Sequence, residues 1–248
     1  MLPEVIPVLD LAGGIAVHAQ GGDRARYGPV VSALVPGRRG DALALARAYR
    51  ERVRAARCYV ADLDAISGGP AQVELLCALA GDDAFGGTLL IDAGLRTAAD
   101  AQRFARVPGG VVVGLETFER WEDLPALARL PAGLIVSVDV RDGVTLRAGP
   151  WAGRSAAAAA GYVAAHGAAE VLLLDLARIG RGEGPDLATL DAVRRAAPGV
   201  RLLAGGGIRH DADLRRLGAS GVDGVLVASA LHAGALALPG QSPASDTR

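Results

Sequence analysis

Lysine is missing from this chain of 248 residues, so all 26 basic residues are arginine. That excludes Schiff-base catalysis by a lysine and the lysine of a P-loop. Any phosphate is left to backbone N–H groups and arginine. Cysteine is scarce. Cys58 and Cys77 stand in a CxxC pair neither with each other nor with any histidine, which reads as two thiols in a reducing compartment rather than a disulfide or a metal site. Charge excess is missing too. The net value of −1 argues against nucleic acid as the main partner. No run of about 18 apolar residues occurs, so a membrane span is not expected. No charged-then-apolar leader opens the sequence, and the expected location is the cytoplasm. The GxGxxG of a dinucleotide-binding open sheet does not follow the first apolar run.

What is present is a rhythm of short apolar runs alternating with helical stretches. The runs are Val5–Leu9, Cys58–Ala61, Thr88–Ile91, Gly110–Gly114, Leu134–Val138, Val171–Leu174, Leu202–Ala204 and one within Gly221–Ala230. Helices are expected over 41–55, 72–80, 155–166, 186–197 and 211–217, in the stretches that run up to Arg106 and to Leu130, and as a short last helix after strand eight. Near-continuous apolar strands alternating with helices mean a parallel sheet covered by helices. Eight units in about 235 residues point to an α/β fold, a single (β/α)8 TIM barrel over residues 1–238. Residues 239–248 read as a polar, disordered tail.

The two halves repeat. Leu89-Leu-Ile-Asp-Ala-Gly-Leu-Arg96 matches Leu202-Leu-Ala-Gly-Gly-Gly-Ile-Arg209, and Val60-Ala-Asp-Leu63 matches Leu173-Leu-Asp-Leu176, both 113 residues apart. The expectation is a barrel built of two pseudo-symmetric half-barrels.

Five strands end at an aspartate: Asp10, Asp62, Asp92, Asp139 and Asp175. Strand C-termini of a barrel share one mouth. Asp10 and Asp139, on strands one and five, face each other across it. Such a pair suits proton transfer in an isomerisation, with one carboxyl protonating a ring oxygen and the other taking a proton from carbon. For Asp62 and Asp175 the plainer reading, bonding of loop N–H groups, is favoured. A divalent metal held by several of these aspartates is a third reading, and no metal or other cofactor is expected. The glycine turn Gly205-Gly206-Gly207 and the paired stretch at Ala228-Ser229 read as a phosphate grip after strands seven and eight. His18, Arg141 and Trp151 join Asp62, Asp92 and Asp175 as candidate substrate contacts. Trp151 serves equally well as a packing residue of its own domain. His166 and His232 read as structural. The glycine-rich loop from Gln20 to Gly28 suits a mobile cover.

On Ile6-Pro-Val-Leu-Asp10, Gln20-Gly-Gly-Asp23, Asp139 with Arg141-Asp-Gly143 and Trp151, Gly184-Pro185 and the closing phosphate pair, the chain resembles the histidine-biosynthesis barrel isomerases and cyclases, and the isomerase branch more closely. That resemblance spans Val5 to about Gly234. It implies Asp10 as general base, Asp139 as general acid, a phosphate on the backbone at Gly205–Gly207, Ala228 and Ser229, and an Amadori rearrangement of phosphoribosylformimino-aminoimidazole-carboxamide ribotide without cofactor. Three departures are visible. The strand-three turn is Asp92-Ala93-Gly94, strand four ends in Gly114-Leu-Glu116, and Ile179 stands where relatives carry an aspartate. They leave two alternatives: a relative acting on a singly phosphorylated substrate in a tetrahydromethanopterin or methanofuran one-carbon pathway, and a non-catalytic barrel that binds a phosphorylated ligand.

Overall fold

Eight parallel strands close on themselves. They are β1 (Glu4–Ala12), β2 (Arg57–Asp62), β3 (Thr88–Asp92), β4 (Gly109–Gly114), β5 (Leu134–Arg141), β6 (Ala168–Asp175), β7 (Arg201–Gly205) and β8 (Gly224–Val227). Each pairs with its sequence neighbours, and β8 returns to β1 in the register Glu4 with Gly224 and Pro7 with Val227. The computed structural model describes residues 1–18, 27–129, 133–146, 151–178 and 184–237. Residues 20–26 of the expected cover, the Ile179 departure and the tail at 239–248 lie outside these residues.

Helices cover the barrel: α1 (Ala42–Ala48), α2 (Leu63–Ile66), α3 (Val73–Ala80), α4 (Leu124–Leu127), α5 (Ala156–Ala165), α6 (Leu187–Ala196), α7 (Asp211–Ala219) and α8 (Ser229–His232). α1, α2, α5 and α6 start where a side-chain oxygen caps a free N–H group. Asp41 accepts from Ala44 N at 2.8 Å, Ser155 from Ala158 N at 3.2 Å and Asp186 from Thr189 N at 3.2 Å. Two expected helices are shorter or tighter. The stretch to Arg106 is a 3₁₀ helix over Ala98–Phe104, and the one after β4 keeps only Trp121–Asp123 and α4. Among the described residues no helix is long and apolar enough to cross a membrane.

Alternation along the strands decides what points where. Ile6, Tyr59, Leu90, Val112, Ile135, Leu172, Leu203 and Leu226 fill the barrel interior. Their alternate neighbours pack under the helices. At the N-terminal end the inward positions are charged. Arg57 bonds Glu170 at 2.7 Å and Glu4 at 2.8 Å, and Arg201 reaches Glu4 at 3.1 Å. This plug closes the bottom and leaves the strand C-termini as the open end.

The 113-residue repeat is carried into three dimensions. β3 and β7 begin and end 113 residues apart, and Asp62 and Asp175 close equivalent strands. Arg96 N donates to Asp100 at 3.0 Å as Arg209 N donates to Asp213 at 3.1 Å.

Candidate functional site

A cavity of about 600 Å³ opens at the strand C-termini. Asp10, Asp92 and Asp139 line it, as do Gly205, Gly206, Gly207, Ala228 and Ser229. Asp10 on β1 and Asp139 on β5 are four strands apart either way round the barrel. They share the inward parity of Ile6 and Ile135, and so does Asp92 with Leu90.

Asp62 and Asp175 do not join them. Each follows an inward residue, Ala61 or Leu174, and therefore turns outward. Asp62 is fully buried and accepts from Ala65 N at 3.2 Å, Gln72 N at 2.7 Å and Gln72 Nε2 at 3.1 Å, fixing α2 and the start of α3. Asp175 accepts from Ala177 N at 3.0 Å and pairs with Arg178 at 3.0 Å. The expectation that all five strand-end aspartates ring one mouth is corrected to three.

The other candidates fall around the cavity rather than in it. His18 ends the short strand Ile15–His18 that folds back on β1, and its Nε2 lies 3.0 Å from Ser229 Oγ. Arg141 is exposed at the end of β5 and outside the lining. Trp151 packs on its own domain, with ring centroids 4.7 Å from Tyr162 and 5.9 Å from Trp121. His166 stacks on Tyr162 at 3.9 Å.

The glycine turn needs its glycines. Gly206 and Gly207 have φ of 100° and 78°, a region that disfavours side chains. A Cβ on Gly206 would stand 2.6 Å from the Asp175 carbonyl oxygen, and one on Gly207 would collide with that of Gly184. In the first half the equivalent of Gly206 is Ala93, whose φ is not positive, so the two turns present their backbones differently.

Sequence reasoning missed Tyr59, Arg178, Arg209 and Glu116 as members of the cavity wall. Tyr59 points inward and donates to Asp92 Oδ2 at 2.7 Å. Its alternation with Ala61 was the available signal. Arg178, three residues beyond Asp175, lines the second-half wall with Arg209, which Asp213 holds at 2.8 Å. Glu116 lines the first-half wall beside Asp92 and Thr117. Asp139 accepts from the Ser137 hydroxyl and hydrogen-bonds Glu116. Burial pushes the Asp139 carboxyl well above the usual range, and Glu116 pushes it further. One wall therefore carries carboxyls, and the opposite one carries glycine N–H groups, Ser229 and two arginines. Among the described residues no group of three or more His, Cys, Asp or Glu side chains is arranged to hold a metal ion.

At the end of α8, His232 is buried with Nδ1 3.0 Å from Ser32 Oγ. Burial, and after it the His18 ring, pull its pKa down to about 4. Unfolded histidine titrates near 6.5, so the stabilisation is complete above that value and is lost as pH falls toward about 4. The loss amounts to about 3 kcal/mol at most. Urea denaturation at pH 7 and pH 4.5 should show it, and His232→Gln should remove that part of the pH dependence.

The chain matches the family model described as histidine biosynthesis protein over residues 4–237. A protein of Rubrobacter xylanophilus is 38% identical over 239 residues, covering 93% of this chain and 91% of the relative. One from Chloroflexus aggregans is 30% identical over 243 residues, covering 95% of each. One from Sorangium cellulosum is 33% identical over 249 residues, covering 95% and 96%. All three relatives carry the name 1-(5-phosphoribosyl)-5-((5-phosphoribosylamino)methylideneamino) imidazole-4-carboxamide isomerase.

Proposed function

Because the chain belongs to the histidine biosynthesis protein family, we propose that it is an aldose–ketose isomerase that carries out an Amadori rearrangement of a phosphorylated sugar amine. The relatives' name speaks for this reading rather than for the one-carbon or non-catalytic alternatives. The observation that carries it is the pairing of Asp10 and Asp139 across one cavity, with a glycine turn on its rim.

In the proposed mechanism Asp139 protonates the sugar ring oxygen. The ring C–O bond breaks and the nitrogen lone pair forms a protonated C=N bond to C1. Asp10 then removes the proton from C2, giving an enolamine. Tautomerisation returns a proton to C1 and leaves a ketone at C2. No redox partner is needed, because C1 is reduced as C2 is oxidised. A protonated Asp139 fits the acid role, since a carboxyl kept neutral by burial can donate near neutral pH.

Gly205, Gly206, Gly207, Ala228 and Ser229 hold one phosphate of the substrate through backbone N–H groups, and Arg178 and Arg209 add positive charge to that wall. The relatives' named substrate carries two phosphoribosyl groups. The opposite wall here offers Asp92 and Glu116, so a second phosphate sits there only against two carboxyls. The proposal includes a cytoplasmic location, one barrel domain over residues 1–238 and no cofactor.

The test is complementation. Expressed in a histidine auxotroph that lacks this isomerase, the chain should restore growth without histidine. No growth from well-expressed, folded protein would reject the histidine-pathway substrate.

A further inference from the structure

We infer that Glu116 is a positioning residue for this reaction, the group that holds Asp139 as proton donor through the hydrogen bond between their carboxyls. The inference rests on the isomerase reading and adds a residue to it.

The strand register sets the placement. Gly114 of β4 pairs with Ser137 of β5, and Leu115 N donates to Ser137 O at 3.0 Å. Two residues further along each chain stand Glu116 and Asp139, side by side at the cavity wall. The repeat shows what has changed. Glu116 occupies the position 113 residues before Ser229, whose hydroxyl lies beside His18 on the phosphate side. A position that serves the phosphate rim in one half carries, in the other, a carboxyl that bonds the acid.

Burial and the carboxyls around Asp139 favour its protonated form, and the hydroxyl of Ser137 alone opposes it. Glu116 comes from the loop after β4, Asp92 from the end of β3, and Tyr59 from β2 with its hydroxyl donated to Asp92. On β5 itself Ser137 donates to Asp139. On the other flank β6 turns Leu174 inward, while its Asp175 faces outward to Arg178. Asp10 lies across the cavity. Asp139 is 8% exposed, and a carboxyl beside it in so dry a place favours a proton on Asp139.

The experiment compares wild type with Glu116→Gln and Glu116→Asp. Glutamine keeps a hydrogen-bonding group and removes the charge. In kcat/KM against pH, the alkaline limb of Glu116→Gln should move down by about one pH unit, about tenfold in rate at pH 8 with little change at pH 6. Glu116→Asp should recover part of the shift, and KM should change less than kcat at pH 8. A second readout needs no turnover. The Asp139 side-chain carbon, followed by NMR in the ligand-free protein, should titrate above the ordinary aspartate range and fall by a similar amount in Glu116→Gln. Superimposable pH profiles, a kcat loss equal at all pH values, or an unmoved Asp139 titration would overturn the inference. If wild type titrates and shifts as described yet converts no sugar amine, the isomerase reading fails and the carboxyl pair stands.

Discussion

Asp139→Asn is expected to lower kcat by about two to four powers of ten, and Asp10→Asn by a comparable factor, with inorganic phosphate binding unchanged. Asparagine matches aspartate in shape. At Asp139 its carbonyl oxygen can still accept from Ser137 and its amide N–H can donate to Glu116, so the fold should hold. What disappears is a proton that can leave. At Asp10 what disappears is the base. The loss then belongs to the chemistry rather than to folding or binding. Steady-state kinetics, phosphate titration by calorimetry and a thermal melt on each variant separate the three. Activity within threefold of wild type in either variant removes that residue from the mechanism.

Ser229→Glu is expected to weaken phosphate binding about a thousandfold, while Ser229→Gln weakens it only a few-fold. The first variant builds into the second half what the first half already has, since Glu116 is the equivalent of Ser229. Two unit charges about 4 Å apart repel by about 4 kcal/mol at an effective dielectric near 20. That corresponds to about three powers of ten in affinity. The glutamine variant separates charge from bulk. In crystals grown from sulfate the anion should lie at Gly205–Gly207 and Ser229, and not at Asp92–Gly94. The Arg96 guanidinium pairs with Glu119 at 2.7 Å. Equal losses in both variants would mean that the site discriminates by size alone.

The barrel was legible because eight apolar runs and a 113-residue repeat survive in the sequence, and both restate how strands and half-barrels pack. The glycine turn was legible for a related reason. Gly206 and Gly207 sit where backbone angle and close contact both exclude a Cβ. The in-or-out choice of the aspartates was harder to see. A strand buried on both faces shows no polar–apolar alternation, so the sequence places all five aspartates at one mouth, although loop N–H bonding is already the favoured role for Asp62 and Asp175, as the structure shows. Parity counted from Ile6 and Leu172 separates them, but only once the interior layer is known. Trp151 stayed open between ligand stacking and packing on its own domain for another reason. Its partners Trp121 and Tyr162 come from separate elements that meet only in the fold. Glu116 was visible as a departure from the phosphate pattern, while its contact with Asp139 depends on the β4–β5 register.

The most direct measurement follows the reaction itself in deuterium oxide. Purified protein is incubated with the aldose substrate named for the relatives, and the product is read by proton and carbon NMR. The account predicts a ketose with solvent deuterium at C1, formed at a rate that Asp10→Asn and Asp139→Asn reduce at least a hundredfold. An unchanged aldose in the presence of folded, phosphate-binding wild-type protein would contradict it.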